Sequence, residues 1–183
     1  DHQSSIEDAL TQAKAQGVHL ILTSGGVSAG DHDVVRHVLE ARGSLLFWRL
    51  AVKPGRPIAL GQFDDVPLIG LPGNPAAAVV MFYVAALPLI RHREGALTQP
   101  PLKVPVTLDF QHRKKADRVE FVRVQIRANE QGVLTATKFP REGAGILSSI
   151  AWADGLVALE PDRLTVSRGE TGWFTAFEWS MSA

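Results

Sequence analysis

The chain has no cysteine, one tyrosine and two methionines among its 183 residues. Without cysteine there is no disulfide, no thiolate nucleophile and no thiolate metal ligand, so catalysis through sulfur and Cys-type zinc sites are excluded. Charge of one sign is lacking too, with 19 Lys+Arg standing against 19 Asp+Glu. No bulk electrostatic field therefore argues for nucleic acid or an anionic membrane as a partner. No apolar run approaches the ~20 residues that cross a bilayer, and no signal-peptide pattern is visible. What remains is a protein expected in the cytoplasm, with 45% hydrophobic residues to fill one core or two small ones.

What the chain does have is two short loops of small residues, each following an apolar run. Residues 20–33 read L-I-L-T-S-G-G-V-S-A-G-D-H-D, and residues 66–75 read V-P-L-I-G-L-P-G-N-P. Each has the form strand, tight loop, helix start, where free backbone N–H groups are able to hold an anion. Ser24, Gly25, Gly26, Ser28 and Gly30 let a ligand approach the backbone closely, and Pro72, Gly73, Asn74 and Pro75 form the second loop. A plain strand-to-helix turn with no ligand fits the first loop equally well.

Hydrophobic spacing predicts an amphipathic helix over 5–16, a strand over 18–23 and a helix over about 33–41, capped by Asp31 and closed by Gly43. A strand over 44–52 is followed by K-P-G-R-P, whose prolines and glycine forbid regular structure. Strands over 58–63 and 66–71 flank an Asp64-Asp65 turn, and Pro75 suits the first turn of a helix running to about residue 91. That helix is apolar almost all round and is expected to be buried. A proline-rich boundary at 94–105 follows, and the period changes from 3.6 to 2. Residues 121–127, F-V-R-V-Q-I-R, alternate as a half-buried strand does, and 133–139 can pair back on it across a turn at 129–132. Further strands are expected at 155–159 and 171–177. The fold class is thus α/β: a partial three-layer, doubly wound domain over 1–95, then a small all-β, barrel-like domain over 98–183. A doubly wound sheet usually opens on a strand, so the chain is expected to begin inside a domain.

Among charged residues, Asp31 and Asp33 read either as ordinary N-caps or as carboxylates able to hold Mg²⁺ beside a phosphate loop. Arg49, Lys53 and Arg56 form a basic counterpart; on one extended segment Arg49 and Lys53 would face the same side. The competing reading is a solvated strand end with snorkelling side chains. His19 lies in an apolar strand and reads as a core residue, while His32, His37, His92 and His112 show no metal-ligand spacing.

The segments L-I-L-T-S-G-G-V-S-A-G-D-H-D, F-W-R-L-A-V-K-P-G-R-P and G-L-P-G-N-P, in this order and spacing, resemble the molybdopterin molybdenumtransferases, the MoeA proteins and the E domain of gephyrin. R-V-E-F-V-R-V and G-I-L-S-S-I-A-W-A-D-G-L-V-A-L resemble that family's C-terminal β-domain, so the likeness runs along essentially the whole chain. The resemblance implies molybdenum cofactor biosynthesis: molybdate and adenylylated molybdopterin as substrates, insertion of the metal into the dithiolene, release of AMP and assistance by Mg²⁺. It implies that residues 24–28 lie along the pterin-phosphate pocket, with Arg56 and the Pro72–Pro75 loop shaping it. Asp33 matches a family active-site aspartate and metal ligand, and Asp1 matches a second, with a gap in the alignment across Ser4 and Ser5. Lys53 matches directly, while Arg49 stands where many members have lysine. Protein partners implied are the molybdopterin adenylyltransferase, other cofactor-biosynthesis proteins and a second copy in a homodimer.

Two departures stand out. Ala144 occupies a position where many members carry serine, and the family's two further N-terminal domains and opening strand have no counterpart. By resemblance the chain is the C-terminal portion of such an enzyme and is not expected to turn over alone. A non-catalytic pterin-binding or scaffolding module and an adenylyltransferase-like protein are the alternatives. The latter share the glycine loop but lack the K-P-G-x-P segment and the appended β-domain.

Overall fold

The computed structural model describes residues 3–27, 34–96 and 100–177. The chain divides into two compact units, Asp1–Leu50 with Gly55–Ala86, and Ala51–Pro54 with Leu87–Ala183. The first contains α1 (Gln3–Ala15), β1 (Ile21–Ser24), α2 (Val34–Arg42) and β2 (Gly43–Arg49). After β3 (Val52–Lys53), which belongs to the second unit, it continues with β4 (Pro57–Phe63), β5 (Val66–Leu71) and α3 (Pro75–Met81). Its sheet has the order β1-β5-β4-β2, in which β1 and β5 run parallel and the other pairs antiparallel.

Strand alternation decides how this sheet is covered. Ala59, Phe63, Val66 and Leu68 share a core with Leu10 of α1 and with Val35, Val38 and Leu39 of α2. Buried Ile69 and Leu71 point to the other face of β5, the strand that α3 packs against with Ala76, Ala77, Val80 and Met81 buried. Helices therefore lie on both faces, giving the expected three layers. The Asp64-Asp65 turn is present, and Lys14 reaches from α1 to both carboxylates, at 3.2 and 2.8 Å.

Three local expectations are corrected. The strand over 44–52 breaks at Leu50: its N–H donates to Arg56 O, whereas Ala51 O accepts from Val119 N–H. The chain thus leaves one sheet for another, and the argument that placed Arg49 and Lys53 on one side of a single strand does not apply. Gly43 does not close α2 with a left-handed turn; it is the first residue of β2, where an added Cβ would lie 1.8 Å from Gln62 O. The apolar helix after Pro75 is only partly buried. It passes from α3 through a π-helical segment, Phe82–Ala86, into α4 (Leu87–Arg93), which buries no residue. By length and composition this 19-residue helix would cross a membrane, although no uninterrupted apolar run does. Its first two turns are packed as those of a core helix are.

The second unit is a barrel. Its strands are β3, β6 (Val104–Leu108), β7 (His112–Arg113), β8 (Val119–Ala128), β9 (Leu134–Lys138), β10 (Gly155–Leu159), β11 (Thr165–Val166) and β12 (Thr171–Ala176), with one short helix, α4 aside, at α5 (Ser148–Trp152). The order β10-β12-β6-β9-β8 closes because β10 also pairs with β8. Inside it, Val106, Leu108, Val122, Val124, Ala136, Val157, Leu159 and Phe174 interlock. The expected hairpin between 121–127 and 133–139 is β8 against β9. Since β10 takes one edge of β8, β3 takes the other, parallel, with Lys53 opposite Glu120 and ahead of where β9 begins. Lys114, nearly buried, donates to the carbonyls of Lys115, Arg118 and Pro161, so one ammonium fastens two loops.

Candidate functional site

The first candidate region lies in the α/β unit, at the carboxyl ends of β1 and β5. The two strands finish in register, Ser24 opposite Leu71. Their loops then stay side by side: Gly25 N–H donates to Leu71 O at 3.0 Å, and Ser24 Oγ donates to Pro72 O at 3.4 Å. The two glycine backbones lie close, a Cβ on Gly73 falling 3.4 Å from Gly25 Cα, at van der Waals contact. Gly25 has φ 86, a left-handed conformation that glycine adopts without a steric penalty. Pro75 takes the first helical position of α3, behind Asn74 at the N-cap. The carboxyl ends of parallel strands are where open α/β sheets receive ligands, because loop backbone and helix starts converge there.

Of the predicted residues, Ser24, Gly25, Gly26, Pro72, Gly73, Asn74 and Pro75 gather at this edge. Arg49 and Arg56 lie in the same unit, both exposed, at the ends of the stretch that leaves for the barrel. Asp1, Ser28, Gly30 and Asp33 lie outside the described residues. Among the described residues no group of three His, Asp or Glu is arranged to hold a metal ion.

Lys53 sits instead in a second cluster, at one end of the barrel. Its Nζ donates to Glu120 Oε1 at 2.7 Å, and its side chain is 41% exposed while that of Glu120 is 4% exposed. His112 Nε2 lies 2.9 Å from the same oxygen, and Arg118 Nη2 lies 3.3 Å from Glu120 Oε2. On the far side of the imidazole, Lys138 Nζ is 3.2 Å from His112 Nδ1 and 3.0 Å from Glu142 Oε1. An ammonium only donates, so Nδ1 accepts, and the ring proton must be on Nε2, where it donates to Glu120. Burial acts most strongly on the Glu120 carboxyl and would raise it. Hydrogen bonds from His112 and Lys53, with the Lys53 charge, outweigh burial and hold it at about 2 instead of the ordinary 4.5. Lys53 and Arg118 thus meet the carboxylate of Glu120, and Lys138 that of Glu142.

Sequence reasoning named Lys53 but passed over Glu120, Arg118, Lys138 and Glu142, and set His112 aside. A signal existed. Glu120-Val122-Val124, Leu134-Ala136-Lys138 and Val106-Leu108-Phe110-His112 are period-2 series of inward positions, each ending on a polar residue. A charged residue in phase with a core-facing series is the informative exception.

Family models match a stretch of each unit. Residues 1–92 match the family described as "Probable molybdopterin binding domain", and residues 105–171 match the "MoeA C-terminal region (domain IV)". The chain belongs to the molybdopterin molybdenumtransferase (MoeA) family. It is 36% identical over 174 residues to the molybdopterin molybdenumtransferase of Haemophilus influenzae, covering 93% of this chain and 42% of that one. It is 35% identical over 161 residues to the molybdenum cofactor synthesis protein cinnamon of Drosophila melanogaster, covering 84% of this chain and 26% of that one. Among solved structures, the molybdopterin biosynthesis moeA protein of Pyrococcus horikoshii superposes with a TM-score of 0.72 at 25% identity, over 97% of this chain and 40% of that one. The molybdenum cofactor biosynthesis protein of Pyrococcus furiosus gives a TM-score of 0.73 at 25% identity, over 97% and 55%. This MoeA-type chain therefore spans less than half the length of the curated relatives named here.

Proposed function

We propose that this chain is part of an enzyme that inserts molybdenum from molybdate into adenylylated molybdopterin and releases AMP. The observation that carries the reading is the pairing of the Ser24-Gly25-Gly26 and Pro72-Gly73-Asn74 loops at the carboxyl ends of β1 and β5. Such an edge suits a pterin phosphate, which backbone N–H groups are able to bind without a dedicated charge. By family resemblance Ser28 and Gly30 are assigned to the same phosphate, and Pro75 completes the second loop. Lys53, Arg49 and Arg56 supply cations for molybdate and phosphate oxygens, with Lys53 presented from its ion pair with Glu120.

Magnesium belongs to the same reading, with Asp33 and Asp1 as its candidate carboxylate ligands. The substrate is delivered by a molybdopterin adenylyltransferase, the working form is a homodimer and the setting is the cytoplasm. The barrel matching the MoeA C-terminal region favours this over an adenylyltransferase.

The test is molybdate-dependent AMP release by the whole gene product. A charge-assisted contact to an oxyanion is worth about 1.5–3 kcal/mol, so Lys53→Ala lowers oxyanion affinity by roughly one to two decades without unfolding the protein. Asp33→Asn leaves pterin affinity within a few-fold and sharply lowers AMP release, and chelation of divalent metal does the same. Normal AMP release by both variants would refute the reading.

A further inference from the structure

We propose that Glu120, His112 and Lys138 are positioning residues that together hold the Lys53 ammonium in place for its ligand. The inference rests on the molybdenum-insertion reading only in taking Lys53 to touch the substrate.

The barrel explains why the arrangement is more than an ordinary surface ion pair. Lys53 lies on a two-residue strand whose parallel register sets it opposite Glu120. Its ammonium donates to Glu120 Oε1 at 2.7 Å and lies 3.9 Å from Glu142 Oε2, and its side chain is partly exposed. The carboxylate is fixed in turn. Oε1 also receives His112 Nε2–H, and Oε2 receives Arg118. His112 is nearly buried, and its tautomer is set from behind by Lys138, which Glu142 holds at 3.0 Å. An exposed cation tied to a buried and multiply held anion has lost most of its freedom before a ligand arrives. Preorganisation of this kind lowers the cost of binding and places charge where a transition state develops it.

The groups facing His112 are Glu120 and Lys138, with Glu142 Oε1 at 3.6 Å, and Lys53 shares its Glu120 oxygen. Loss of any one link releases the next, so the effects of substitution must travel through Lys53. Displacement of a reacting group by ~1 Å costs up to ~100-fold in rate. Glu120→Gln is therefore expected to lower kcat for AMP release 10- to 100-fold with KM for the pterin substrate little changed. Glu120→Asp retains more activity than Glu120→Gln, and His112→Gln, which keeps a donor near the Nε2 position, more than His112→Leu.

The decisive measurement is a double-mutant cycle in the whole gene product. If Glu120 acts through Lys53, adding Glu120→Gln to Lys53→Ala costs no further activity. An independent readout is the ¹⁵Nζ resonance of Lys53 in NMR: the hydrogen bond slows proton exchange, so the signal is present in the wild type and lost in Glu120→Gln. Lys138→Met weakens it without touching Lys53. Multiplicative losses in the cycle, or a Lys53 signal indifferent to Glu120→Gln, overturn the positioning role while the functional reading stands. Full activity of Lys53→Ala overturns the placing of Lys53 on the substrate, and the proposal with it; the molybdenum-insertion reading falls only if Asp33→Asn is fully active as well.

Discussion

Glu120 provides the sharpest quantitative test of the barrel. Its carboxyl is held at about 2 in the folded chain against an ordinary 4.5. That depression corresponds to about 3 kcal/mol of preference for the ionised, folded form. Lys53 shares its ammonium with water, so screening reduces this to roughly half. The folded value is the depressed one, so the stabilisation is complete above pH about 4.5 and is lost as pH falls toward about 2. By pH 3 more than half of this contribution is gone, or about 1 kcal/mol after screening.

The chain has two units, and a global melt would mix their transitions. Native-state amide exchange at Val124 and Val157 reads the barrel alone, since both are buried in its core. In the wild type their opening free energy falls between pH 7 and pH 3. In Glu120→Gln it is lower at pH 7, because His112, Lys53 and Arg118 lose an anionic partner, and its fall with acid is smaller by about 1 kcal/mol. Glu170, also held below its usual range but paired with Arg163 outside the cluster, titrates in both proteins and cancels in the comparison to first order. Identical pH dependence in the two proteins would refute the assignment of Glu120 as an ionised hub.

Other outcomes follow from particular contacts. Lys114→Met removes the donor to three carbonyls and is expected to cost about 2–3 kcal/mol, measured by amide exchange in the barrel. Leu39→Ala, at a fully buried position between α2 and the sheet, lowers the stability of the α/β unit by about 2–5 kcal/mol in denaturant unfolding. Gly43→Ala drives a Cβ into Gln62 O and breaks the β2–β4 pairing there, and loss of protection at those amides checks it. Lys14→Ala removes only exposed ion pairs to Asp64 and Asp65 and leaves the unfolding midpoint of the same assay essentially unchanged.

The amino-acid order by itself determined the two small-residue loops, the hairpin across Asp64-Asp65, the change to period-2 strands after the proline-rich boundary and the family. Each is written in local chemistry: glycine where backbones approach, proline at a helix start, alternation where one face is buried. Glu120, His112 and Lys138 stand in phase with the core-facing residues of three separate series, a signal in the sequence that was passed over. Tertiary structure decided what those positions meant. Lys53 meets Glu120 across 67 residues of sequence, because the chain changes sheets at Leu50 and β3 pairs with the start of β8. Strand neighbours are chosen by closure of the whole barrel, a long-range condition that no window of sequence contains. The same holds for the apolar helix after Pro75. Its composition announces a buried helix throughout, but only its first turns find a sheet face to cover, so burial ends where the partner surface ends.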